Sequence, residues 1–260
     1  MLTVDPKHRF SNRVDDYVRY RPGYPSAILE LLREECSLTP DSVVADIGSG
    51  TGLLAQLFLA NGNVVHGVEP NTAMREAGEQ LLKSYSRFRS VAGSGKSTTL
   101  ADASVDFVVA GQSFHWFEPA AARAEFQRIL KPGGWVAVIW NERKNDSTPF
   151  LRAYATLIRE YGTDYEGVAA KYEEYEHSEK FFGAGALREK SFPNEQTFDW
   201  DGLRGRLLSS SYAPSQGHPK HEPMIAELAR IFDEHNEKGR VRFEYDARIS
   251  YGRLAPTRTA

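Results

Sequence analysis

Two carboxylates flank a glycine run in the first third of the chain. In Asp46-Ile47-Gly48-Ser49-Gly50-Thr51-Gly52 an acid stands two residues ahead of three alternate glycines, and Glu69 follows 17 residues beyond the last of them. Glycines so placed let the backbone turn tightly and bring a ligand against a helix N-terminus. The later acid falls about where ribose hydroxyls are met in doubly wound nucleotide-binding folds. The ligand is narrowed by two details. A dinucleotide fingerprint needs glycine at its first, third and sixth positions, and the sixth counted from Gly48 is Leu53. Asp46 would also repel a pyrophosphate, by roughly 4 kcal/mol per close charge pair at an effective dielectric of 20. A cationic nucleoside without phosphate is attracted instead, and S-adenosylmethionine, with its sulfonium and ammonium groups, is such a ligand. Two alternatives keep the same sheet: an NAD-type oxidoreductase using Glu69, and a non-catalytic S-adenosylmethionine-binding protein.

Other reactive residue types are fewer. His115 follows the β-type run Val105–Ala110 and is a candidate general base, should the acceptor need a proton removed. An in-line methyl transfer draws much of its rate from positioning and exclusion of water, so a base is optional. Gly93-Ser94-Gly95-Lys96-Ser97-Thr98 imitates a phosphate loop, but position 90 is Ser90 rather than glycine and no apolar helix follows. His218 and His221 have no third ligand at metal spacing, so no metal is expected. The tyrosines and glutamates from Tyr154 to Glu176 read as an amphipathic lid more readily than as an acceptor pocket.

These residues need strands and helices to hold them, and the first half supplies alternating β-type runs and helical periodicity. Strands are expected at 43–47, 64–68, 87–91, 105–110 and 135–140, and helices after Gly52, from Asn71 to about Ser84, and through Ala122, Phe126 and Leu130. Alternation of this kind implies a parallel sheet with crossover helices. From about Pro149 to Lys180 the sequence turns helical. A strand near 186–192, helices near 202–209 and 223–235, and a last strand at 241–251 complete the chain.

The whole chain is expected to be one α/β domain. It divides into an N-terminal helical cap (1–40), a cofactor-binding core (41–141), a helical lid or insertion (142–185) and a C-terminal part completing the sheet (186–260). With 260 residues, 41% hydrophobic and 26% charged, it can bury a true core. A net charge of -3 argues against a nucleic-acid protein working by bulk charge. The uncharged stretch Ile47–Val68 is broken by glycines and asparagines, so no membrane span is expected. Met1–Phe10 is followed by no apolar run, and Cys36 has no cysteine to pair with. A cytoplasmic location is therefore expected.

Four segments carry a family resemblance. Val43–Gly52 resembles motif I of class I S-adenosylmethionine-dependent methyltransferases. Gly67-Val68-Glu69-Pro70-Asn71 resembles the ribose-binding strand end, Val105–Ala110 the fourth strand, and Leu130-Lys131-Pro132-Gly133-Gly134 the turn before the fifth. Tyr17–Pro25 and Gln112–Phe117 are similar to the subgroup of trans-aconitate methyltransferase-like and related small-molecule methyltransferases. The resemblance implies a Rossmann-like sheet of seven strands in the order 3-2-1-4-5-7-6, with the last strand antiparallel. It implies S-adenosylmethionine as cofactor, held by Asp46, Gly48, Ser49 and Gly50 at the methionine end, Glu69 at the ribose, and Pro70, Asn71, Ser94 and Gly95 around adenine. Gln112 would reach the methionine part or the acceptor, Arg21 the methionine carboxylate, and Tyr17 would close over the cofactor. The acceptor implied is a small molecule, and the protein a monomer or homodimer.

Overall fold

The computed structural model describes residues 19–163, 181–183, 186–210 and 212–255. Tyr17 and the run from Tyr165 to Glu176 lie outside the described residues. Strands β1 (Val43–Ile47), β2 (Val64–Val68), β3 (Phe88–Val91), β4 (Val105–Gly111), β5 (Leu130–Arg143), β6 (Arg188–Phe198) and β7 (Val241–Gly252) form one sheet, in the order β3-β2-β1-β4-β5-β7-β6. The first five run parallel, and β7 lies antiparallel to both β5 and β6. This is the strand order expected from the sequence, antiparallel last strand included.

Strands covered on both faces must be apolar on both, and β1 and β4 are apolar runs interrupted only by Asp46 and Asp106. On one face Val44, Phe107 and Val109 pack with helices α1 (Ala27–Cys36) and α2 (Leu53–Ala60). On the other, Ala45, Ile47, Val108 and Ala110 meet helix α4 (Pro119–Ile129) through Ala122, Phe126 and Ile129. Full burial of side chains such as Phe58 and Phe126 contributes about 1.5–3 kcal/mol each, which fixes the sheet as a rigid base for its strand ends. Helix α3 (Thr72–Leu81) starts where Asn71 Oδ1 accepts the Met74 N–H at 3.0 Å, a side-chain cap that sets the direction in which the chain leaves β2.

Beyond Glu142 the chain builds a third apolar cluster. Helices α5 (Pro149–Tyr161), α6 (Trp200–Leu208) and α7 (His221–His235) pack with Phe198, Val241, Phe243 and Tyr245. This cluster stands where β5, β7 and β6 outrun β4: Gly111 ends β4 opposite Ile139, while β5 continues to Arg143 opposite Tyr245. Tyr154 of α5 is fully buried in this cluster, against Phe150 and Phe243.

Two strands are longer than the sequence suggests. β5 begins at Leu130, pairs with Val105, and resumes pairing only at Trp135, so Lys131-Pro132-Gly133-Gly134 is an excursion inside the strand, with Gly133 at φ +81°. Lys131 is held there by an ion pair to Asp106 at 2.9 Å. β6 runs on through Pro193 to Phe198; as the edge strand it tolerates a residue without an N–H. Among the described residues no helix is long and apolar enough to cross a membrane.

Candidate functional site

The two carboxylates picked out by spacing meet at the carboxyl ends of neighbouring strands, where Ile47 of β1 is opposite Val68 of β2. Gly48 turns the chain at φ +68° while its N–H donates to the Val68 carbonyl at 2.8 Å. A Cβ on Gly48 would lie 2.7 Å from the Ser113 Cβ, so only glycine fits between β1 and the segment after β4. Gly50, at φ +56°, donates its N–H to Glu69 Oε2 at 2.9 Å, and the Asn71 N–H reaches Glu69 Oε1 at 2.8 Å. The glycine loop is thereby tied to the ribose-type acid. Burial raises the Glu69 carboxyl above the ordinary range, and the Asn71 and Gly50 amides and Arg75 oppose the rise.

Asp46 is 1% exposed, and neither carboxylate oxygen has a hydrogen-bond partner. Burial pushes its pKa up to about 7. The Ala55 N–H, in the first turn of α2, is near enough to offset this in part without meeting hydrogen-bond geometry, and nearby Glu69 adds to it. Buried polar groups are normally satisfied, so a paired set of orphaned carboxylate oxygens beside a cavity marks a place for a donor or cation.

That cavity has a volume of about 740 Å³. Asp46, Gly48, Ser49, Gly50, Glu69, Pro70 and Asn71 line one end. Ser94 and Gly95 enter from a tight turn closed by reciprocal bonds between Ser94 and Ser97, and Gly95 lies against the Phe117 ring. Gln112 follows β4 at φ +57°, a conformation rare for a side-chain-bearing residue. It is held there by its N–H to Ile139 O at 3.0 Å and its Nε2 to Asn141 O at 3.1 Å. His115 sits in the short turn Phe114–Trp116, its ring 4.4 Å from that of Trp116 and 5.2 Å from that of Trp140. Arg21 also lines the cavity, and its Nη2 donates to Ser209 O at 2.9 Å just beyond α6. Thus every expected site residue within the described part of the chain faces one cavity; Tyr17 is not among the described residues.

The opposite end was not foreseen. Arg143 and Asn141 come from the extension of β5, Arg206 from α6, Tyr245 from β7, and Tyr212 from the loop after α6. Arg206 is 4% exposed; its Nε donates to Tyr245 Oη at 3.4 Å and its Nη1 to Ser210 Oγ at 3.2 Å. The Arg143 guanidinium lies 4.9 Å over the Tyr154 ring and donates to Asn145 Oδ1 at 2.9 and 3.1 Å. Asn141 Nδ2 donates to Gly23 O at 3.1 Å, and Asn194 Nδ2 bonds both Asn141 Oδ1 and Gly23 O, fastening the N-terminal segment across the cavity's flank. Asn141–Arg143 were findable from the rule that ligands gather at the carboxyl ends of strands, had β5 been read to its full length. Arg206 and Tyr212 carry no local signal.

Residues 45–138 match a family model described as a methyltransferase domain. An uncharacterised methyltransferase of Schizosaccharomyces pombe is 30% identical over 223 residues, covering 85% of this chain and 86% of its own. The chain belongs to the methyltransferase family. A second S. pombe protein, described as methyltransferase-like, is 29% identical over 225 residues and 85% of each chain. This methyltransferase also shares its fold with a candidate type II methyltransferase of Anaeromyxobacter dehalogenans, at a TM-score of 0.66 and 21% identity over 91% of this chain and 99% of that one. A candidate S-adenosyl-L-methionine-dependent methyltransferase of Methanococcus maripaludis aligns at a TM-score of 0.52 and 20% identity, covering 74% and 91%.

Proposed function

We propose that this methyltransferase moves a methyl group from S-adenosylmethionine to a small-molecule acceptor. The observation that carries the reading is Asp46: a buried carboxylate with two orphaned oxygens, one strand away from Glu69 and beside a glycine turn. The donor set fits the ligand's chemistry. Asp46 would hold the ammonium group and face the sulfonium; Glu69, with lone pairs beyond those taken by Gly50 and Asn71, would accept from the ribose hydroxyls. Pro70, Asn71, Ser94 and Gly95 would border the adenine, and Gln112, Arg21 and Tyr17 the methionine end. The bound cofactor supplies an electrophilic methyl group on a positively charged sulfur. The protein's part is to hold the acceptor in line with it and to exclude water, which the aromatic wall of Trp116, Phe117 and Trp140 supports.

A small acceptor is supported by the walls of the cavity. The N-terminal segment, β5, β7 and α6 all contribute to one pocket, whose size falls within the range of small-molecule sites. The likeness of Gln112–Phe117 to trans-aconitate methyltransferase-like and related small-molecule enzymes supports the same reading. A pyrophosphate cofactor is opposed by the placement of Asp46.

Calorimetric titration with S-adenosylmethionine, S-adenosylhomocysteine and NAD tests the proposal. Both adenosyl ligands are expected to bind and NAD not. Glu69→Ala is expected to weaken S-adenosylmethionine binding by about 1.5–3 kcal/mol, and Glu69→Gln by less. Binding of NAD alone, or undiminished S-adenosylmethionine binding in Glu69→Ala, would overturn it.

A further inference from the structure

Arg206 poses a problem of charge. A guanidinium 4% exposed needs a compensating anion, yet among the described residues neither Arg206 nor Arg143 makes an ion pair with a carboxylate. The groups that raise the Arg206 pKa against its burial are three phenols: Tyr245, Tyr154 and Tyr212. Tyr245 donates its own hydroxyl proton to Gln196 Oε1 at 3.0 Å, and burial drives the Tyr154 phenol further toward its neutral form. Tyr212 is different. Burial alone would raise it, but Arg143, Arg206, a hydrogen bond with Ser210 and then Arg21 outweigh that and bring it down to about 8. Tyr212 also lines the cavity, so the phenol whose ionisation the arginines favour faces the place where an acceptor would lie.

We infer that Tyr212, which shares the cavity wall with Arg21, Arg143 and Arg206, is the proton acceptor of the reaction, and that the acceptor therefore reacts through a hydroxyl or amine. This rests on the methyl-transfer reading. As the acceptor oxygen or nitrogen bonds to the methyl carbon, its proton passes to Tyr212 Oη. The carbon–sulfur bond breaks, sulfur keeps the electron pair and loses its positive charge, and the phenol later returns the proton to solvent. Every guanidinium around Tyr212 favours the ionised form. Among the described residues packed there, burial drives Tyr154 toward its neutral form and Tyr245 donates its hydroxyl proton to Gln196. Glu142 lines the cavity too, but is engaged by Arg248 at 2.9 Å. His115 lies against the rings of Trp116 and Trp140.

The test combines spectroscopy with turnover. Ultraviolet titration of the wild type should show one tyrosine ionising near pH 8, absent in Tyr212→Phe. Calorimetry on both proteins should give equal S-adenosylmethionine affinity; a wild type that does not bind it refutes the methyl-transfer reading instead. With paired phenol and benzoate acceptors and isotopically labelled S-adenosylmethionine, methyl transfer to the phenols should rise with pH to a plateau above 8. Tyr212→Phe should lower kcat about 10²-fold or more, remove that limb and leave KM within a few-fold. A wild-type titration with no tyrosine near pH 8 overturns the inference whether or not an acceptor turns over. So does methylation of benzoates alone with a flat pH profile in both proteins, which would assign the arginines to an anionic acceptor. A limb near pH 6.5 that His115→Gln removes and Tyr212→Phe spares would return the role to His115.

Discussion

The two ends of the cavity are opposite in charge and in construction. At one end two carboxylates, Asp46 and Glu69, stand at the ends of adjacent parallel strands, and the Gly50 amide ties the glycine loop after Asp46 to Glu69. At the other, Arg143 and Arg206 share the wall with Tyr212 and favour its ionised form. The acidic end is made by strand–turn–helix units in which each functional residue lies within a few positions of the turn that aims it. The basic end is assembled from the N-terminal segment, β5, α6 and the loop after it, none of which could orient the others without the third apolar cluster. One end is local chemistry on a rigid sheet edge, and the other depends on long-range packing. The sheet edge is suited to a ligand of one fixed shape, whereas the packed end can be altered residue by residue to suit different acceptors.

The largest effect expected is at the turn. Gly48→Val places a branched side chain at φ +68° with its Cβ 2.7 Å from that of Ser113. Backbone strain of about 1–3 kcal/mol adds to the steric cost. Denaturant unfolding should show a loss of at least about 3 kcal/mol, and calorimetry no detectable cofactor binding. If the two ends are built separately, the Tyr212 titration stays where it was, provided the variant folds. A shift of that titration in folded Gly48→Val would show that the two ends are built as one.

The same contrast explains what the sequence disclosed. Asp46, Gly48, Gly50 and Glu69 were legible because a parallel strand, a glycine turn and a helix fix one another over short spans, so residue type and spacing carry the geometry. The strand order was legible through the resemblance carried by four such segments. Arg206 was not: it lies on a nine-residue helix whose burial comes from Leu203, Leu207 and distant partners on β7. Its approach to Tyr245 joins residues 39 apart, and Arg21 reaches Ser209 across 188. Even Arg143 was hidden by the underestimated length of β5, because the pairing that extends that strand comes from β7, about a hundred residues later.

An effect of opposite sign, confined to higher pH, is expected at Asp46. Its carboxyl binds a proton more tightly in the folded chain than an ordinary aspartate does, with burial pushing the folded pKa up to about 7. Ionisation therefore opposes folding increasingly as pH rises from about 4 to about 7, and the whole penalty is present above that. Asp46→Asn should match the wild type in stability below about pH 4 and exceed it at pH 8, by up to about 4 kcal/mol. S-adenosylmethionine binding should strengthen with pH in the wild type up to about 7. In the variant it should be weaker and independent of pH over that range. Equal stability of the two proteins at pH 8 would mean that Asp46 is satisfied without ligand, and the acidic end would lose its reason to be a cation site.

The smallest stability change is expected from Arg206→Met, and it sharpens the contrast most. Removing one member of a buried ion pair usually costs about 3–5 kcal/mol, because the partner charge is left uncompensated. Here the partners are phenols. Tyr245 keeps its bond to Gln196, Ser210 loses one donor, and Tyr212 can regain its proton as the field that ionised it weakens. Methionine retains most of the apolar contact with Phe243, over which the guanidinium lies at 5.9 Å. Urea unfolding at pH 9, where Tyr212 is ionised in the wild type, should therefore differ from wild type by no more than about 1 kcal/mol, while the Tyr212 titration moves to higher pH. A loss above about 3 kcal/mol would mean that an anion other than Tyr212 balances Arg206 in the folded chain, and the basic end would then be structural scaffolding. A small loss with a displaced Tyr212 titration makes the arginines a device for charging one phenol, dispensable for folding because the charge they create disappears when they do.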